Sequence, residues 1–413
     1  MTARHDQVEA GGFALDFNAP GFLQDPYPTF HVLRDHDPVF LSPWGDWYLT
    51  RYADVARVLT DKRFRRQSPS GTNPITGDDR EPTPIDGMLS RWMVFIDPPA
   101  HTRLRRLVGR AFTPRLVEAM RADITAIVHR LLDDALDNAG DGGEFDLIEA
   151  LAYPFPVMVV SRILGVPAED YARLKDWSGQ LTGALDTGEA EELATGIDAT
   201  REMMDYMAGL IAERRARPRD DLISEMMLGS DQDEALSEEE LVSNCVFLLW
   251  AGHETTKNLI GNGVLALSRN PGEMERLRKR PELMVSAVDE LLRYESPIQK
   301  IGRWTGEDVE LSGKTIPKGQ YVVSLFGAAN RDPLQYPDPD RLDLARDQGT
   351  SLAFGKGIHH CLGYGLAKLE GEIAFAALLD RVREIEVKVQ QPDWQANTSV
   401  RGLASLPVAV RHR

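Results

Sequence analysis

One long helix constrains what this chain can fold into more than any other feature. Ser237 and Glu240 have the spacing of a capping box, in which each side chain caps the backbone N–H of the other residue. Helical character then continues to Arg269, where Asn270-Pro271 ends it. A helix of about 33 residues is roughly 50 Å long. Such a helix must cross the whole molecule.

The rest of the chain also favours helices. From Asp97 to about Glu295 the pattern is nearly all helical. Strand patterns are short and lie at 39–51, about 309–326, near 384–389 and near 403–411. Residues 1–20 are polar and Gly-rich, and we expect them to be loose. The pattern predicts a mainly α chain with small β-sheets (α+β), with a single domain over residues 21–413.

Composition excludes several classes of protein. The formal charge of -17 argues against generic nucleic-acid binding. The two cysteines, Cys245 and Cys361, do not make a disulfide framework in 413 residues, so we expect a reducing compartment. The longest apolar stretch, 245–252, is far shorter than the roughly 18 residues of a membrane span. With no apolar signal-peptide core near Met1, we expect a cytoplasmic protein without a membrane anchor.

The most informative segment is 354–363, where Cys361 stands among glycines just before a helix that begins near Gly365. Glycine permits a positive φ and lets the backbone approach a flat ligand. Backbone N–H groups at a helix start can hydrogen-bond a thiolate. A buried structural cysteine beside a turn explains a lone Cys equally well. A zinc site fits poorly, because adjacent His359, His360 and Cys361 point in different directions.

The complete string resembles the haem-binding signature of the cytochrome P-450 superfamily of soluble bacterial type. Phe354, Gly357, Cys361 and Gly363 occupy its fixed positions. The resemblance implies haem b with the Cys361 thiolate on the iron. It also implies one large triangular domain whose long central helix crosses the haem.

Glu290 and Arg293 lie at i, i+3 on one helix face, where a surface ion pair is the simple interpretation. In the family such a pair is closed by a later arginine, and Arg341 stands where that arginine is expected. Leu342 replaces the usual Phe after it. The resemblance implies a buried network of Glu290, Arg293 and Arg341 that braces residues 354–363, the cysteine loop.

Burying two haem propionates demands cationic donors. His101 and Arg105 project together at i, i+4 and match the propionate-binding helix of the family. Arg303 and His359 match two further donors. Taken singly, each of these residues is explained as a solvated charge.

The middle of the long helix, 251–256, carries an acid and an alcohol among apolar residues. Thr255 can simply bond a carbonyl one turn earlier. The segment also resembles the oxygen-activation motif of family monooxygenases. That resemblance implies that Thr255 donates a hydrogen bond in the oxygen groove and that Glu254 relays protons as a general acid. His253 is expected to face away.

The chemistry implied by the resemblance is O2-dependent hydroxylation or epoxidation, and it needs two electrons. We expect no fused flavin or iron–sulfur domain, so a separate ferredoxin and its reductase must supply them. Arg103, Arg106 and Arg110 share one helix face, and Lys356 and His360 flank the cysteine. They suit an acidic ferredoxin, although a solvated basic stripe is the alternative. A monomer is expected.

Residues placed toward the substrate by the resemblance are mostly apolar, which favours a mainly hydrophobic small molecule. They are Met88, Leu89, Trp92, Met93, Leu248, Ala251, Gln299 and Ile301. Two other functions stay open: a haem-thiolate protein with non-hydroxylating chemistry (an isomerase, a dehydratase or a binder of haem ligands), and a helical protein without haem. Glu254 and Thr255 favour the monooxygenase over a binder of haem ligands, because a protein that only binds such ligands does not need this acid and this alcohol.

Overall fold

The computed structural model describes residues 7–10, 13–17, 19–43, 45–68, 82–186, 190–227, 235–347 and 349–412. The helices are α1 Pro20–Gln24, α2 Tyr27–His36, α3 Tyr52–Thr60, α4 Pro84–Leu89, α5 Ala100–Gly109, α6 Pro114–Ala119, α7 Arg121–Ala139, α8 Pro154–Leu164, α9 Tyr171–Asp186, α10 Ala190–Ala216, α11 Leu222–Met227, α12 Glu238–Arg269, α13 Pro271–Lys279, α14 Met284–Tyr294, α15 Phe326–Ala329 and α16 Tyr364–Arg381. The strands are β1 Gln7–Ala10, β2 Phe13–Asp16, β3 Val39–Leu41, β4 Trp47–Leu49, β5 Phe64–Arg65, β6 Glu144–Asp146, β7 Lys300–Thr305, β8 Val309–Leu311, β9 Lys314–Ile316, β10 Tyr321–Leu325, β11 Val382–Val387, β12 Asp393–Trp394, β13 Leu403–Ser405 and β14 Pro407–His412.

The long helix is α12, and its predicted cap is confirmed. The Ser237 N–H donates to Glu240 Oε2 at 2.9 Å, and the Glu240 N–H donates to Ser237 Oγ at 3.1 Å. Gly252 lies halfway along α12, and a Cβ there would come within 2.9 Å of Val160 on α8. Because glycine has no side chain, α12 can approach α8 closely at this position.

Contacts divide the chain into two units. The first unit comprises Arg65–Val117 and Pro156–His253, and it holds the N-terminal half of α12. In this unit α9 and α10 lie against each other: the Trp177 indole donates to Glu202 Oε2 at 2.7 Å. A Cβ on Gly196 would lie 2.3 Å from the methyl of Ala184, so the two helices are in close contact at that point.

The second unit comprises the described residues of His5–Phe64, Glu118–Phe155 and Glu254–Arg413. Its largest sheet has the strand order β3-β4-β10-β7-β5, in which β10 runs parallel to β4 and antiparallel to β7. Smaller sheets have the orders β11-β14-β6, β12-β13, β8-β9 and β1-β2. An apolar core that includes Val55, Leu59, Val322, Phe326 and Leu352 joins α3 to the large sheet.

The prediction of a mainly helical chain with small sheets is confirmed. The expected hairpin is β3–β4, and the expected strands after residue 309 are β8, β9 and β10. The composition of residues 67–87, dense in Pro, Gly, Ser, Thr and Asp, is typical of a long loop. However, α4 begins at Pro84 because Thr83 and Asp86 form a capping box; residues 69–81 lie outside the described ones.

Part of the segment expected to be loose forms the antiparallel pair β1–β2. The single domain over 21–413 stays a prediction. Among the residues that the structure describes, no helix is both long and apolar enough to cross a membrane.

Candidate active site

The cysteine loop of the second unit is shaped by two glycines. Gly355 and Gly357 have φ of +65° and +73°, a region that L side chains rarely adopt. A Cβ on Gly357 would also lie 2.4 Å from the Leu59 carbonyl oxygen of α3. The loop can therefore take this path against α3 only with glycine at that position.

Cys361 is half-buried at the end of this loop, three residues before α16 begins. Its N–H donates to the Phe354 carbonyl at 2.9 Å, which closes the loop. The Phe354 and Tyr364 rings meet edge to face with centroids 6.3 Å apart. The thiol thus stands on a fixed loop between a β-rich core and a helix.

The predicted cationic donors occur in both units. In the second unit, Arg303 lies on β7 opposite Val322 of β10 and is 3% exposed, and His359 is half-buried in the cysteine loop. In the first unit, α5 carries His101, which is buried, and Arg105, which is half-buried. Buried guanidinium and imidazole groups suit anionic partners, since burying an unpaired charge is costly. Within the second unit, the Cys361 thiol, a soft ligand for iron, and the buried Arg303 guanidinium fit a haem.

The middle of α12 presents one accessible face. Phe247, Ala251 and Thr255, at i, i+4 and i+8, are half-buried, whereas the intervening His253 and Glu254 are buried. The His253 Nδ1 lies 2.8 Å from the Leu249 carbonyl, and its Nε2 lies 3.2 Å from Ser178 Oγ of α9. His253 therefore contacts the interior of the first unit and not the side that carries Thr255.

Glu254 is paired with a lysine that the sequence analysis missed. The Lys257 ammonium donates to Glu254 Oε1 at 2.5 Å, and both side chains are at most 4% exposed. Asn258 Nδ2 lies 3.4 Å from the same oxygen, and the Lys257 Nζ lies 5.6 Å from the centre of the Tyr153 ring. The i, i+3 spacing was the available signal.

A further buried acid lies beside the same helix. The Thr256 hydroxyl donates to Glu370 Oε2 of α16 at 3.4 Å. Burial raises the pKa of the Glu370 carboxyl well above its ordinary value.

The predicted network around Glu290 is correct for Arg293 and wrong for Arg341. Arg293 Nε and Nη2 donate to the Glu290 carboxylate at 2.7 and 2.8 Å, with both side chains 2% exposed. The third member is Arg346, whose Nε donates to Glu290 Oε1 at 3.0 Å. Arg341 is 67% exposed and pairs with Asp343.

A turn in the backbone explains this difference. Leu342 is buried, which turns the adjacent Arg341 outward. The Arg346 N–H then donates to the Asp343 carbonyl at 2.9 Å, and this turn brings the Arg346 side chain back to Glu290. The sequence motif identified the right segment, but the turn selected its second arginine.

Most of the predicted substrate residues lie in the first unit. Met88, Leu89, Trp92, Met93 and Leu248 are buried there. The Trp92 ring lies 5.0 Å from Phe247 and 5.5 Å from Trp250 of α12, and the Met93 N–H donates to Asn244 Oδ1 at 3.1 Å. The segment before α5 is therefore joined to the long helix by an aromatic cluster.

The other two predicted substrate residues, Gln299 and Ile301, belong to the second unit. The Gln299 Nε2 donates to the Ser296 carbonyl at 2.7 Å, and a Cβ on Gly327 would lie 2.0 Å from its Oε1. The Gln299 Nε2 is thus bonded to neighbouring backbone, and its Oε1 lies beside Gly327. Ile301 is half-buried on β7.

The basic stripe on α5 is only partly available to a partner. Arg106 and Arg110 are exposed, and Lys356 is exposed in the cysteine loop. Arg103 is instead ion-paired with Glu240 of α12 and donates to the Ala235 carbonyl at 2.8 Å. Arg103 is therefore not expected to bind the ferredoxin.

Comparison with known proteins agrees with this fold. The family model of cytochrome P-450 matches residues 48–409, and the chain belongs to this family. The vitamin D(3) 25-hydroxylase of Pseudonocardia autotrophica is 41% identical, covering 95% of this chain and 95% of that protein. The monooxygenase PikC of Streptomyces venezuelae is 40% identical, covering 96% and 94%. The solved structure of PksS from Bacillus subtilis 168 has a TM-score of 0.87 at 37% identity, covering 96% and 100%.

Proposed function

We propose that this protein is an O2-dependent haem-thiolate monooxygenase that hydroxylates or epoxidises a mainly hydrophobic small molecule. The observation that carries the proposal is the cysteine loop, inside a chain that belongs to the cytochrome P-450 family. In this loop a half-buried thiol follows a glycine turn that packs so closely against the α3 backbone that only glycine fits. Haem b bound through a cysteine thiolate would supply O–O cleavage. The balance is RH + O2 + two electrons + two protons to ROH and water.

The chain's own residues would position the cofactor. Cys361 would be the iron ligand, held in place by its N–H contact with Phe354. His101 and Arg105 of α5, with Arg303 and His359, would donate to the propionates. His101 and Arg303 are buried, as donors to a buried cofactor would be.

Two residues of α12 would handle protons. Thr255, on the accessible face of the helix, would donate a hydrogen bond in the oxygen groove. Glu254 would accept a proton from solvent and pass it inward as a general acid. The substrate would lie against the apolar residues Met88, Leu89, Trp92, Met93, Leu248, Ala251 and Ile301, and beside Gln299.

Electrons would come from a separate ferredoxin-type protein in the cytoplasm. Exposed Arg106, Arg110 and Lys356 would attract its acidic surface, and the attraction would weaken with salt. Charge reversal at Arg106 and Arg110 is expected to slow reduction by a surrogate ferredoxin while dithionite still reduces the haem.

The test of the cofactor assignment is Cys361→Ser, with Cys245→Ala as the matched control at the other cysteine. Cys245 is buried in α12, and burial raises the pKa of its thiol, so it is unsuited to act as a thiolate ligand. We expect the red-shifted carbon monoxide difference band of the reduced protein to disappear in Cys361→Ser and to persist in Cys245→Ala. Survival of the band in Cys361→Ser would falsify the ligand assignment. Label from O2 in the product then separates a monooxygenase from a non-hydroxylating haem protein.

A further inference from the structure

We propose that Lys257 is a positioning residue for Glu254: its ammonium group holds the Glu254 carboxylate in place inside α12 and releases it when the carboxylate takes up a proton. This inference rests on the proposed function, because it gives Lys257 a part in the proton relay that is proposed there for Glu254.

The pair lies in the interior of the chain. The Lys257 and Glu254 side chains are 3% and 4% exposed, and the Nζ–Oε1 distance is 2.5 Å. The ammonium also lies over the Tyr153 ring at 5.6 Å, a distance at which a ring face attracts a cation. In the described part of the chain, Glu254 is the ion-pair partner of Lys257, so the lysine has one carboxylate to hold.

Stability alone does not account for this lysine. An i, i+3 ion pair on a helix surface stabilises the helix slightly, but a buried pair must also offset the loss of hydration of both charges. Apolar side chains at both positions would avoid that cost, whereas Glu254 without Lys257 would be an unpaired buried charge. Lys257 neutralises the carboxylate of Glu254. The next residue in the sequence, Thr255, lies on the accessible face of α12.

The pair gives the relay two states. In the first, Glu254 is a carboxylate bound to the Lys257 ammonium. A hydronium ion then gives its proton to Glu254 and becomes water, and the neutral acid no longer attracts the ammonium strongly. Glu254 passes this proton to the Thr255 hydroxyl, which loses its own proton to the reaction, and the ion pair forms again.

The decisive variant is Lys257→Met, which keeps the length of the side chain and removes its charge. If Lys257→Met does not fold, Lys257→Gln is measured in its place. The matched control is Lys279→Met on α13, which removes the lysine of an exposed intrahelical pair with Glu275. The double variant Lys257→Met/Glu254→Gln tells whether any change comes from Glu254.

The first readout is infrared difference spectroscopy at neutral pH, which does not depend on turnover. A buried carboxylate without its counter-ion is expected to take up a proton, so Lys257→Met should gain a protonated carboxyl band that the double variant lacks. Glu370 is unchanged in all the proteins, so its contribution cancels in the difference. Lys279→Met should show no new band. If Lys257→Met and Lys257→Gln both lack the band, the inference is overturned.

The second readout is product formed per electron pair with a surrogate ferredoxin. We expect a fall of about tenfold in Lys257→Met, smaller than the roughly 100-fold fall from removing the general acid itself in Glu254→Gln. Normal product yield in Glu254→Gln would reject the relay proposed for Glu254. A loss in Glu254→Gln with normal yield in Lys257→Met would leave the proposed function intact and reject the role of Lys257.

Discussion

Two acid–base pairs have the same spacing along a helix but different surroundings. Glu290–Arg293 on α14 and Glu254–Lys257 on α12 are each three residues apart and buried. The Arg293 guanidinium also donates to the Asn330 and Pro339 carbonyls, both at 2.8 Å, so this pair joins α14 to distant segments. The Lys257 ammonium reaches a carboxylate of its own helix.

The difference teaches what each pair can do. Opening the α14 pair separates segments of chain and leaves several buried groups without partners, which is costly. The ion pair of α12 joins two residues of one helix. The first arrangement suits a brace for the fold, and the second suits a group that must exchange protons.

The largest effect on stability is expected for Glu290→Gln. The amide leaves two guanidinium groups buried without a counter-charge, so the free energy of unfolding should fall by about 3–5 kcal/mol. Urea unfolding measures it. The neighbouring Asp289, 52% exposed and paired with Lys368, supplies the control Asp289→Asn, which should change little. Equal losses in the two variants would contradict the brace.

The next effect distinguishes the two arginines that follow Pro337. Arg346→Met should lower the free energy of unfolding by about 2 kcal/mol, because Glu290 loses a charged hydrogen bond but keeps Arg293. Arg341→Met should cost under about 1 kcal/mol, since it breaks an exposed pair. A larger loss in Arg341→Met than in Arg346→Met would restore the original motif assignment.

The last effect depends on pH and concerns Glu370, a buried acid whose described hydrogen-bond partner is a hydroxyl. Its pKa is raised in the folded protein, so between the ordinary value of 4.5 and the raised value the folded state binds more protons than the unfolded state. This group therefore favours folding at low pH, and that contribution is lost as pH rises through this window.

Glu370→Gln removes the titration. Its unfolding free energy, compared with that of the parent protein, should improve by at most about 1.4 kcal/mol per pH unit above pH 4.5. Urea unfolding at a series of pH values measures the slope. Parallel curves for the two proteins would show that Glu370 does not titrate this way.

The local pattern predicted much of the fold. The capping box of Ser237 and Glu240 and the stop at Asn270-Pro271 bound α12, and the turn residues at 312–314 bound β8 and β9. These features depend on interactions between residues a few positions apart, so the order of residues contains the information. The α4 capping box at Thr83 was equally local and was overlooked inside a Pro- and Gly-rich stretch.

The sequence by itself also determined the cysteine loop, because Gly355 and Gly357 are required by backbone angles that few other residues adopt. Only the tertiary structure decided that Arg346 and not Arg341 meets Glu290, that Arg103 is bound to Glu240, and that Lys257 neutralises Glu254. A charged side chain several bonds long can reach different partners from one sequence position. Which partner it reaches is fixed by burial and by the turns of the backbone around it.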